Sequence, residues 1–62
     1  MKKGFIIKAL GYDQYWSHYE DEFDGWRDAA IYPTSDDETL LKDMKLAIME
    51  GPCCILEVYY GE

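Results

Sequence analysis

A chain of 62 residues allows one small domain over 1–62 and excludes two lobes with a cleft between them. Its apolar and aromatic share of 48% is that of a chain that folds, despite a net charge of −7. Thirteen carboxylates against six Lys and Arg repel phosphate backbones and anionic bilayers, which argues against direct nucleic-acid or membrane binding.

In chain order, residues 3–10 (KGFIIKAL) read as a strand, with Phe5, Ile7 and Ala9 on one face and Ile6, Lys8 and Leu10 on the other. Gly11, Tyr12 and Asp13 are turn residues, and residues 14–19 (QYWSHY) alternate again, so a β-hairpin is expected. Residues 20–25 (EDEFDG) place four acids around Phe23; like charges so close repel across a sheet, and a loop is expected. Residues 26–32 (WRDAAIY) read as a short third strand or an irregular segment ending in one, stopped by Pro33.

Ser35 with Glu38 three residues on matches a capping box, and Leu40, Leu41, Met44, Ala47 and Ile48 recur at helical spacing, with Lys42, Asp43 and Lys45 elsewhere on the wheel. Gly51 in a left-handed terminating position and Pro52 close a helix expected over 36–50. The last run, residues 53–60 (CCILEVYY), is a strand whose apolar content points to an inner position. The expected class is α+β: a small antiparallel sheet of three to four strands with one helix packed on one face, in the order β-β-(β)-α-β.

No catalytic set can be assembled. His18 is the only imidazole, the five glycines are isolated, and Cys53-Cys54 lacks the spacer of zinc or redox motifs. His18 with Glu20 and Glu22 does not make a fixed metal site at a strand end. Neighbouring strand residues point to opposite faces, so the two cysteines are expected to be free thiols. No enzyme, metal or cofactor is expected. The basic start at Met1, Lys2 and Lys3 is followed by an apolar stretch that contains Lys8 and is too short for a signal core or a span, so an intracellular, soluble protein is expected.

Six tyrosines, two tryptophans and two phenylalanines exceed what a one-helix core encloses, so some stay on the surface. They coincide with acid in one place: Tyr19, Glu20, Asp21, Glu22, Phe23, Asp24, Trp26 and Asp28 gather five carboxylates and three aromatics within ten residues. Carboxylates so placed can meet the Lys and Arg that otherwise hold phosphates, while Tyr and Trp supply contact area. The plain alternatives are a solvated loop with Phe23 and Trp26 as its anchors, and acid that serves only solubility.

An opening GFIIKA strand, the YWS segment and the run Trp26, Ala30, Ile31, Tyr32 and Thr34, followed by an acid-capped helix and a closing strand, resemble short uncharacterised proteins of phages and prophages. The resemblance implies a role: phage proteins of this size and acidity are often inhibitors of host machinery, among them anti-CRISPR proteins, some acting as DNA mimics in the host cytoplasm. The partner expected is a host protein with a basic nucleic-acid-binding surface, a CRISPR effector foremost. Glu20, Asp21, Glu22, Asp24 and Asp28 would be the electrostatic contacts, and Tyr19 and Trp26 the anchors. The alternative is a structural or accessory phage protein that self-associates, as a homodimer, through an exposed strand edge and its tyrosines.

Overall fold

The computed structural model describes residues 1–17, 19 and 21–61. β1 (Lys2–Ala9) is the strand on which the sheet is built. Its β-branched and aromatic residues alternate between two faces, and both Ile6 and Ile7 are buried. β4 (Cys53–Tyr60) pairs with it antiparallel along its whole length, from Lys2↔Tyr60 to Ala9↔Cys53. β2 (Tyr15–Ser17) lies on the other side of β1, and β3 (Glu22–Asp24) pairs with β2, so the order is β3-β2-β1-β4. A 3-10 turn (Trp26–Asp28) and the helix α1 (Glu38–Glu50) complete the expected α+β architecture.

The hairpin turn between β1 and β2 uses Gly11 at φ 82, a left-handed conformation that glycine adopts without penalty. β2 leaves β1 soon after the Lys8↔Tyr15 pair, and residues 30–32 bond to both strands where they part. Ala30 N–H donates to the Trp16 carbonyl at 2.9 Å, and Tyr32 exchanges two bonds of 2.8 Å with Phe5. Residues 26–32 thus form a 3-10 turn and an irregular stretch that ends in a single bridge at Tyr32, short of the strand expected there.

α1 lies over the face of Phe5 and Ile7. Ile7, Trp16, Ala30, Tyr32, Leu40 and Ala47 form the core, with Phe5, Phe23, Met44 and Cys53 packed against it. The opposite face has no helix, yet Ile6 is buried there. Gly4 explains part of this: a Cβ at Gly4 would stand 2.6 Å from Ile31 Cγ2 and 2.8 Å from Tyr60 Cε1, so the missing side chain lets both residues fold over the sheet.

Five expectations need correction. Residues 22–24 form a strand, not a loop, because Glu22 faces Ser17 and Asp24 faces Tyr15 across the ladder; the acids meet neutral partners rather than one another, while Phe23 turns inward onto Trp16. The helix begins at Glu38 with Asp37, not Ser35, as its cap: Asp37 Oδ1 accepts from Thr39 N at 2.8 Å and Leu40 N at 3.2 Å. Gly51 is extended, at φ 164 and ψ 175, rather than left-handed, since the residue before a proline is driven out of helical conformations. Asp43 is buried and Leu41 and Ile48 are exposed, so the buried stripe is rotated from the one expected. β4 is an edge strand, not an inner one; β1 and the short β2 are the strands with a neighbour on both sides.

Candidate partner-binding surface

Of the residues singled out for binding, Tyr19, Asp21, Glu22 and Asp24 belong to the β2–β3 hairpin, and Trp26 and Asp28 to the 3-10 turn that follows it. β2 and β3 are two short strands, and the turn between them includes Tyr19, which is 83% exposed, and Asp21, held at φ 51 in a left-handed conformation that Asp tolerates. Glu22 is exposed at the start of β3, and Asp24 at its end is half-buried, with Oδ1 accepting from Gly25 N–H at 2.7 Å. The 3-10 turn carries Trp26, 50% exposed, and Asp28, exposed. Trp26 meets Tyr15 edge to face at 5.3 Å, which fixes its ring on the face away from the helix, the face that Tyr15 shares with Glu22 and Asp24. Glu20 lies outside the described residues, as does His18.

Phe23 separates from this set. Its ring stands 5.3 Å from Trp16, edge to face, and packs against the core, so it is half-buried and anchors β3. Of the two aromatics in question as anchors, one points inward and one outward. The arrangement therefore places Tyr19, Asp21, Glu22 and Asp24 on the hairpin that forms the β3 edge, held from behind by Phe23, with Trp26 and Asp28 on the 3-10 turn that follows, Trp26 lying against Tyr15 of β2.

Among the described residues, the carboxylates of this edge form no ion pair. The one ion pair among the described residues joins Lys3 Nζ to Glu57 Oε1 at 3.4 Å, on the β1–β4 side. Arg27, exposed beside Trp26 and Asp28, forms no ion pair among the described residues. Tyr15 OH donates to Asp13 Oδ1 at 2.8 Å, and that bond holds the hydroxyl's pKa above its ordinary value.

Behind the edge sits a buried polar pair that sequence patterning misses. Tyr32 OH donates to Asp43 Oδ2 at 2.6 Å, and burial, then this bond, push the Tyr32 pKa far above its ordinary 10.0. The pair ties α1 to residues 30–32, which follow the 3-10 turn bearing Trp26. Trp16 Nε1 and Ser17 Oγ are buried with no hydrogen-bond partner among the described residues. The cysteines are free thiols; Cys53 packs on the core, where burial foremost and Cys54 beside it raise its pKa and keep the thiol protonated at neutral pH.

A cavity of about 290 Å³ opens at the end of the sheet, between Leu10, Tyr12 and Phe23 and the Glu50 to Pro52 corner. Among the described residues, no three His, Cys, Asp or Glu side chains converge as metal ligands would, and no helix is long and apolar enough to cross a membrane. No protein-family model, curated protein or solved structure matches the chain.

Proposed function

We propose that the chain is a binding module whose acidic β3 edge occupies a basic surface on a protein that handles nucleic acid, blocking access of DNA or RNA. The observation that supports this reading is the succession of exposed Tyr19, Asp21 and Glu22 on the β2–β3 hairpin and exposed Trp26 and Asp28 on the 3-10 turn that follows it, the carboxylates having no ion-pair partner among the described residues. Glu22 at the start of β3, with Asp21 in the turn before it and Asp28 in the 3-10 turn after it, supplies the charge, and Trp26, already held by Tyr15, loses little entropy on contact. Inhibition of a host CRISPR effector by a phage protein, in the host cytoplasm, is the specific form that the resemblance implies.

Rim charges act mainly on the association rate, so binding should weaken steeply as salt rises. The test is capture of partners from bacterial lysate at low and high salt with the tagged protein and with a Glu20→Lys, Glu22→Lys double variant. Salt-sensitive capture of a nucleic-acid-binding protein, lost in the folded double variant, supports the proposal. Equal capture by the folded variant refutes it.

A further inference from the structure

The opposite edge of the sheet is built differently. No strand lies beyond β4 among the described residues. Leu10 N–H donates to the Pro52 carbonyl at 3.0 Å, which makes Ala9↔Cys53 a non-hydrogen-bonded pair. By alternation, Cys54, Leu56, Val58 and Tyr60 turn their backbone groups to β1, and those of Cys53, Ile55, Glu57 and Tyr59 point out from the sheet.

Monomers blunt such edges with proline, lysine, bulges or brevity. β4 has 8 residues in unbroken register, no proline or lysine, and Glu57 as its one charge. Ile55, Leu56 and Tyr59 are 36%, 40% and 61% exposed. The helix flank above adds to them: Leu41 and Ile48 are 48% and 59% exposed. That flank faces β4, because Met44 on the same side brings Sδ within 3.9 Å of Cys53 Sγ, whereas Asp43 on the other side bonds Tyr32.

We propose that a second copy of the chain covers this strip, β4 pairing antiparallel with its counterpart about a two-fold axis perpendicular to the sheet. The two sheets become one, and both helices lie on the same face with Leu41 and Ile48 of each flanking the seam. The outward-pointing groups fix the parity of the register and Glu57 selects among what remains. Centring on Glu57 opposes two carboxylates, and centring on Ile55 shortens the ladder to residues 53–57. Centring on Leu56 keeps residues 53–59 paired, sets Ile55 opposite Glu57 and brings the two Leu56 side chains together.

Charge and area favour a second copy over another partner. The acidic hairpin stands on the far edge, so two copies of a −7 chain pair with their acidic edges at opposite ends. A standard interface takes ~800 Å² from each partner, about a fifth of the 4447 Å² surface, and a strand edge about 27 Å long with a helix flank beside it is the extended strip able to give it, with Glu57 on the strand and Lys45 on the flank as its charges of opposite sign.

Sedimentation of the full chain over a micromolar to millimolar series should give a dimer, twice 7.3 kDa. Leu56→Lys sets two cations together at the axis and should give a monomer with unchanged circular dichroism. Should that variant fail to fold, Leu56→Cys with Cys53→Ser and Cys54→Ser provides the second readout, a disulfide-linked dimer on mild oxidation. A wild-type monomer throughout the series overturns the proposal, and so does a dimer that neither dissociates with Leu56→Lys nor cross-links through Leu56→Cys.

Discussion

The two edges of this sheet differ in length, charge and covering. β3 has 3 residues flanked by acids and a 3-10 turn, the pattern of an edge protected from strand pairing. β4 has 8 residues with a single carboxylate and exposed apolar side chains on both its faces. Between them β1 carries the burial and Trp16 and Tyr32 the volume of the core. The contrast teaches that net charge says little about a molecule this small until it is placed: the acid is concentrated where a strand partner would dock on β3 and nearly missing where one would dock on β4. Charge on an edge repels strands and attracts cations, whereas a bare edge attracts strands.

The contrast depends on a centre that holds both edges, and the largest effect is expected there. Trp16→Ala removes the ring on which Phe23, and with it β3, is seated; we expect a loss of about 3–5 kcal/mol, enough to unfold so small a domain, read by urea denaturation followed by circular dichroism.

Next comes Tyr32→Phe, which leaves the Asp43 carboxylate buried without its donor and should cost about 1–3 kcal/mol. The pH profile gives this substitution a signature. The folded pKa of Tyr32 is raised, so its contribution is fully present below the ordinary value of 10.0 and is lost as pH climbs above it. Denaturation midpoints of the wild type should therefore fall on alkaline titration more than those of Tyr32→Phe; parallel profiles would contradict the role given to Tyr32.

Gly4→Ala tests the helix-free face beside β4. Its methyl group must displace Ile31 or Tyr60, and we expect about 1–3 kcal/mol, measured by thermal melting. Asp37→Ala removes the cap of α1 and should cost about 1 kcal/mol. The smallest stability change belongs to the β3 edge: Glu22→Lys should alter folding by about 0.5 kcal/mol or less, while slowing association with a basic partner in stopped-flow mixing.

β1, α1 and β4 were legible because each rests on a local signal: β-branched residues at period two, apolar residues at helical spacing, and a Gly51-Pro52 stop. The rest depends on partners distant in sequence. Glu22 and Asp24 look mutually repulsive until Ser17 and Tyr15 are seen opposite them. Asp43 looks like a solvent-facing residue until Tyr32, distant in the chain, supplies its hydrogen bond. An apolar strand such as β4 reads as inner, and nothing local says that β1 takes that place. Of the residues proposed to bind, the acids and Trp26 were picked out by composition, while the inward turn of Phe23 follows only from its seat on Trp16. The period-two pattern of Glu22, Phe23 and Asp24 was the available signal for β3, hidden by the charge around it.

The most direct test of the acidic edge is competition at constant ionic strength. The chain, bound to any salt-sensitive protein captured in the lysate experiment, is challenged with excess duplex DNA or RNA of the kind that protein holds. If the β3 edge sits in the nucleic-acid groove, the nucleic acid releases the chain in proportion to its concentration. A chain that stays bound while the partner takes up nucleic acid would contradict the account.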